Sequence, residues 1–330
     1  MCSLTMKSKW ILTFVLAGCI SNVAGQSVKP RLADLVHEFD YDNKASLDVR
    51  EVGRERRPGA TIIDLTYASP RGGRVPSYLV VPAGKGPFAA ILFGHWMMDG
   101  SPMRNRREFL EEAVLLAPAG VISLLIDAPL VRPGFTEEKD ELKSAAQSAE
   151  AARQQVIDFR RGLDLLAARP DVDPKRFAYV GHSFDAHVGA ILSAVEKRIG
   201  SFVLMAGGFA DEEYVFDNEN EEMRKLRERI GDEKIRSHFR NYAWDDPVNF
   251  IGHSGPSAVF LQFGRADKPI PPKLAMHYYA LFGDPKRVGF YDAGHALNAK
   301  ARADRIEWLR RRLSLDSVDH EAMARIPELK

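Results

Sequence analysis

The sequence predicts an α/β fold: a doubly wound, mainly parallel sheet flanked by helices, with a helical cap inserted late in the chain. Three observations predict it. Continuous apolar runs at residues 88–93, 121–126, 177–180, 201–205 and 257–263 have the length and composition of strands buried on both faces. Amphipathic helical patterns separate them, and strand–helix alternation implies parallel strands with helices on both sides of the sheet. The alternation breaks once, at residues 207–254, a charged and partly helical stretch. Such an insertion reads as a cap above the C-terminal edge of the sheet, where ligands bind in open α/β folds.

The chain begins with a different composition. Lys7 and Lys9 precede the apolar residues 10–20, and small residues follow. This is the pattern of an export signal, and it is too short to span a bilayer as a helix. Two endings compete: Val23-Ala24-Gly25 suits ordinary cleavage after residue 25, and Leu16-Ala17-Gly18-Cys19 suits a lipoprotein signal that would place a lipid on Cys19. The expected location is therefore outside the cytoplasm: periplasmic, extracellular, or at the cell envelope through a lipidated Cys19, the one membrane anchor expected.

Both cysteines, Cys2 and Cys19, lie in this leader. The remainder has neither a disulfide nor a cysteine nucleophile. Removing residues 1–25 takes away two lysines and no acid, which turns the formal net charge from +1 to −1. With 45% hydrophobic and 28% charged residues, the 330-residue chain has an ordinary globular balance. A near-zero charge argues against a nucleic-acid partner, and the basic residues 104–107 and 310–312 read as solvated helix faces.

Residues 26–59 are polar, with scattered apolar positions at Leu32, Leu35, Val36 and Phe39, and read as an N-terminal extension. Residues 61–68 and 74–81 read as an antiparallel pair, because Ser69-Pro70-Arg71-Gly72-Gly73 between them is a turn. Helix is expected over 106–117, with Phe109, Ala113 and Leu116 on one stripe, and over 144–168, with Val156, Phe159, Leu163 and Leu166 on one face. A loop over 129–143 follows the strand at 121–126 and leads into the second of these helices. Strands at 257–263 and 287–291 and helices at 273–282 and 299–313 complete a main domain over 60–315, and 316–330 is a C-terminal tail.

The stretch that organises the rest is Phe177-Ala178-Tyr179-Val180-Gly181-His182-Ser183-Phe184-Asp185-Ala186. A short strand ends at a glycine, a serine follows two residues on, and helix starts at once. That is the layout of a nucleophile elbow, G-x-S-x-G, with Asp185 where the last glycine usually stands. A serine hydroxyl needs a base to take its proton, and the base needs a partner that fixes its tautomer. In this layout the order along the chain is serine, acid, histidine. Ser183, Asp267 and His295 supply that order, and each follows the C-terminal end of an expected strand. Asp292 and Asp211 are weaker candidates for the acid. His182 and His187 flank the elbow, and without further ligands at metal-site spacing they read as packing residues.

An oxyanion needs two donors. One is the backbone N–H of Phe184, after the nucleophile. The other comes from the loop Gly94-His95-Trp96-Met97-Met98-Asp99-Gly100, from Met97 or from Trp96. Asp185 adds a Cβ and a charge where close helix–strand approach is usual, so it requires a local partner or an altered elbow. Trp244, Phe250 and Tyr214 are pocket or core aromatics, and spacing does not separate the two.

These motifs resemble the α/β-hydrolase superfamily, over about residues 60–315, and within it the dienelactone hydrolase and acetyl-xylan-esterase-like branch. The resemblance rests on Gly94-His95-Trp96, Val172-Asp173-Pro174-Lys175-Arg176, Gly181-His182-Ser183, Gly264-Arg265-Ala266-Asp267 and Gly294-His295. It implies a serine esterase acting on a small-molecule carboxylic ester, with no metal or organic cofactor. Ser183 replaces the cysteine of true dienelactone hydrolases, so lactone specificity does not carry over. Two other readings stand beside it: a non-catalytic hydrolase-like binding protein, motivated by Asp185, and a peptidase or acyltransferase on the same triad. The sequence leaves the substrate and the oligomeric state open.

Overall fold

The structure is a computed structural model and describes residues 30–207, 215–216 and 221–329. The leader, with Cys19, lies outside the described residues, as do Asp211 and Tyr214.

Among the described residues, nine strands form one sheet in the order β1-β2-β3-β5-β4-β6-β7-β8-β9. They are β1 Arg50–Arg57, β2 Ala60–Ala68, β3 Arg74–Pro82, β4 Phe88–Gly94, β5 Val121–Ile126, β6 Val172–His182, β7 Ser201–Met205, β8 Ala258–Gly264 and β9 Lys286–Tyr291. The first three run as antiparallel neighbours, β3 is antiparallel to β5, and every pairing from β5 through β9 is parallel. The turn at residues 69–73 joins β2 to β3 as the Gly/Pro signal implies.

Strands β4, β5, β7 and β8 are buried at every position, which is why they read as unbroken apolar runs. Ala90 and Leu92 of β4 face one core while Ala89, Ile91 and Phe93 face the other. The first core is closed by α3 (Glu141–Ala167), α4 (Phe184–Val195) and α7 (Pro272–Leu281), through residues such as Phe159, Val188 and Tyr278. The second is closed by α2 (Leu110–Leu116) and α8 (Ala299–Leu313), through Leu116, Ile306 and Leu309. Helices on both faces make the sheet doubly wound, as expected.

Beyond shifts of up to four residues at element ends, such as the helix expected from 106 that begins at Leu110, the structure departs from the sequence expectations in three places. Strand β1 lies within the expected N-terminal extension, after a short helix α1 (Leu32–Leu35). Its sequence Arg-Glu-Val-Gly-Arg-Glu-Arg-Arg is mostly exposed and has no apolar alternation, so only its backbone pairing to β2 marks it. Charge along such an edge also discourages pairing with a further chain. Strand β6 starts five residues earlier than expected: Val172 pairs with Phe88, residues 173–176 bulge out, and pairing resumes at Phe177 with Ala90. The C-terminal segment is fastened to the body. It carries α9 (His320–Arg325), and the Arg302 guanidinium donates to the Ile326 and Pro327 carbonyls. Arg302 and Arg305 share the buried Glu112 carboxylate.

Of the 207–254 insertion, the described part holds α5 (Glu221–Ile230) and α6 (Asp232–Asn241). Val215, Met223, Leu226, Ile235 and Phe239 form a small core of their own, closed by Ala145 in the early turns of α3. Phe250 is a core residue, edge-on to Phe39 with centroids 5.8 Å apart, and Trp244 carries the Arg153 guanidinium 4.5 Å above its ring.

Candidate active site

Gly94, Ile126, His182, Met205, Gly264 and Tyr291 are the C-terminal ends of the parallel strands. The candidate residues lie in the segments that leave these ends. Ser183 sits between β6 and α4 at φ 54° and ψ −107°. A non-glycine residue at positive φ costs on the order of 1–3 kcal/mol and persists only where its surroundings hold it. Here its N–H donates to the Met205 carbonyl, and its own carbonyl accepts from the N–H groups of Ala186 and His187, which opens the helix. Glycine is required at 181 for a steric reason: an ideal Cβ there would stand 2.2 Å from the Asp185 carbonyl oxygen.

His295 lies between β9 and α8. Its Nε2 is 2.8 Å from Ser183 Oγ, and its Nδ1 is 2.9 Å from Asp267 Oδ2. With the serine O–H donating to Nε2, the ring proton is on Nδ1 and points at the carboxylate. Asp267 leaves β8 with its side chain fully buried, and its Oδ1 accepts from the Ile270 N–H at 3.0 Å. Both carboxylate oxygens are therefore held. The competing acid, Asp292, points to solvent with a side-chain exposure of 93% and pairs with Arg265.

Phe184 begins α4, so its N–H belongs to the helix N-terminus beside Ser183. In the loop after β4, the Trp96 N–H is committed to Glu108, donating to Oε2 at 2.6 Å. Of the two alternatives for the second donor, Met97 is thus the one favoured. His95 shapes this loop. Its Nε2 accepts from the Ala128 N–H at 2.9 Å, so its Nδ1–H donates to the Trp96 carbonyl at 2.7 Å. Burial pushes the His95 pKa down, in keeping with the neutral ring these contacts require.

Asp185 finds its partners without distorting the elbow. Its side chain turns over Gly94, where an ideal Cβ would come within 2.5 Å of the Asp185 Cβ. The close approach usually given by glycine at the end of the motif is supplied here by glycine on β4. The Gln155 amide donates to the two carboxyl oxygens at 3.1 and 3.3 Å, and the His95 N–H also donates to this carboxyl. Gln155 is oriented for this because its Oε1 accepts from Arg132, itself paired with the buried Asp158.

Burial raises the Asp185 pKa well above its ordinary value of 3.8. The folded protein then keeps a proton that the unfolded chain releases. Stability from this group is complete below the unfolded value and is lost as pH rises toward the folded one. Asparagine cannot ionise, so the stability of Asp185→Asn relative to the natural protein should climb with pH above about 4, by at most ~1.4 kcal/mol per pH unit. Denaturant unfolding at several pH values checks this, and two curves that stay parallel would contradict it.

His182 and His187 are both engaged within the protein. The His187 Nε2 meets Asp245 of the insertion at 3.1 Å. His182 contacts Glu108 through Nδ1 and the His295 carbonyl through Nε2, at 2.5 and 2.9 Å. Among the described residues no group of three metal-binding side chains converges. Glu108 and Gln155 are the residues sequence reasoning missed. Glu108 has one local signal, its place just ahead of helix α2 and after a loop rich in turn residues.

This sheet order, with a serine elbow after β6 and helices on both faces, is the α/β-hydrolase fold. Solved structures bear this out. An acetyl xylan esterase from Paenibacillus sp. R4 superposes with a TM-score of 0.69 at 16% identity, over 93% of this chain and 99% of that one. Acetyl xylan esterase 1 from Thermoanaerobacterium sp. JW/SL YS485 does so with 0.69 at 17%, over the same shares. In sequence, the chain is similar to Esterase FrsA of Escherichia fergusonii, 29% identical over 147 residues. That match covers 44% of this chain and spans about a third, 31%, of the curated relative. No protein-family model matches.

Proposed function

We propose that the chain is an exported serine hydrolase that cleaves a small-molecule carboxylic ester through an acyl-enzyme. The observation that carries this is the unbroken hydrogen-bonded series Ser183–His295–Asp267, assembled from three separate strand ends. Ser183 Oγ attacks the acyl carbon while its proton passes to His295 Nε2. Asp267 holds the imidazole in the tautomer that accepts this proton and stabilises the imidazolium that results. The N–H groups of Phe184 and Met97 receive the oxyanion. The tetrahedral intermediate collapses, the C–O bond to the alcohol breaks, and His295 protonates the departing alkoxide. Water then gives a proton to His295 as its oxygen attacks the acyl carbon; the bond from that carbon to Ser183 Oγ breaks, the carboxylic acid leaves, and His295 returns the proton to Oγ.

The sequence similarity to an esterase favours ester over amide cleavage. The non-catalytic reading drew on Asp185, and the accommodation of that carboxyl by Gly94, Gln155 and His95 speaks for an intact elbow. Export, with or without a lipid on Cys19, rests on the leader composition alone. Purified protein should turn over p-nitrophenyl acetate and release acetate, with an initial burst if deacylation is the slower step. Absence of turnover on every short-chain ester would refute the proposal. Transfer to an added alcohol, or cleavage of peptides in preference to esters, would move it to the acyltransferase or peptidase class.

A further inference from the structure

We infer that Glu108 and His182 are a positioning pair that braces the oxyanion loop and the base together, an inference that rests on the proposed esterase reading. Their side chains are 1% and 0% exposed. One oxygen of the Glu108 carboxylate accepts the Trp96 N–H, in the residue next to the Met97 donor, at 2.6 Å. The other meets His182 Nδ1 at 2.5 Å. His182 Nε2 in turn donates to the backbone carbonyl of His295 at 2.9 Å. The His182 ring also stacks with the Trp96 indole, 5.0 Å away at 22°, and with the His295 imidazole, 5.6 Å away at 30°. His182 is itself the residue before Ser183. One carboxylate thus ties together the oxyanion loop, the elbow and the loop of the base.

The protons specify what the pair needs. A carbonyl only accepts, so His182 carries a proton on Nε2, and one further proton lies between Nδ1 and Glu108. Glutamine at 108 reproduces both contacts: its amide oxygen takes the Trp96 N–H and its amide N–H donates to Nδ1. Alanine reproduces neither and leaves a buried N–H without a partner. Aspartate keeps the charge but is one methylene too short to reach both groups.

Neither residue reaches the reacting atoms, so their loss should act on the transition state and spare substrate binding. In E108A and H182A, kcat on p-nitrophenyl acetate is expected to fall roughly 30- to 100-fold, below the full loss of an oxyanion donor, with KM within about threefold. E108Q is expected to recover to within about fivefold of the natural protein. The rate of reaction with an alkyl fluorophosphonate should fall in the same proportion, and thermal unfolding is read on the same samples. Should either alanine variant not fold, E108D is read in its place, with at least a tenfold loss in kcat expected. The inference is overturned if folded E108A or E108D keeps kcat within threefold of the natural protein, if KM rises while kcat holds, or if E108Q is as impaired as E108A. A natural protein that neither turns over ester nor takes the phosphonate refutes the esterase reading first, and the inference with it.

Discussion

Ser183→Ala should lower ester turnover by about 10⁴-fold or more while leaving the fold and its unfolding midpoint close to those of the natural protein. The substitution removes the Oγ that stands 2.8 Å from His295 Nε2 and keeps every backbone contact of the elbow. Alanine carries the same Cβ, so the positive φ at 183 is neither relieved nor worsened. Residual activity would come from water attacking an ester still held against the Phe184 and Met97 N–H groups, a background that can exceed the uncatalysed rate. KM should change little, because the hydroxyl forms its decisive bond only as the reaction proceeds. Turnover of p-nitrophenyl acetate by both proteins, corrected for spontaneous hydrolysis, measures the ratio. Anything under about tenfold would mean that Ser183 is not the nucleophile.

Asp267→Asn should cost a comparable amount, roughly 10⁴-fold in kcat at neutral pH, by a different route. The Ile270 N–H fixes which way the new amide points, since it needs the amide oxygen at the position of Oδ1. The amide nitrogen then faces His295 Nδ1, where a carboxylate oxygen stood 2.9 Å away. An NH₂ group donates, so Nδ1 must become the acceptor and the ring proton moves to Nε2. His295 would then donate to Ser183 when catalysis requires it to accept. Asp292→Asn is the control: that carboxylate is solvent-exposed and pairs with Arg265, and its loss should leave kcat within about twofold. A result in which Asp292 mattered and Asp267 did not would reassign the acid.

The two predictions draw on residues that sequence reasoning could find, and the reason is local. Ser183 and Asp267 each follow a strand whose apolar run is unmistakable, and His295 follows β9, a shorter and more polar edge strand marked by its place between two helical patterns, so topology carries all three to one edge of the sheet. The buried strands β4, β5, β7 and β8 were legible for the same cause. Strand β1 was not, because it lies at an edge and its side chains are solvated on both faces. Glu108 and Gln155 were also hidden. Their roles depend on contacts 74 and 30 residues away in the chain, to His182 and Asp185, and no periodicity encodes those. Asp185 read as a defect in the motif because the compensating glycine, Gly94, lies on another strand. The choice between Trp96 and Met97 turned on the same hidden glutamate.

The central claim is that His295 activates Ser183, and alkyl fluorophosphonate labelling read by peptide mass tests it most directly. The natural protein should take up one phosphonyl group per chain, on the peptide that contains Ser183, and His295→Ala should label slower by orders of magnitude. Folded protein that stays unlabelled, or labelling that proceeds equally well without His295, would contradict the account.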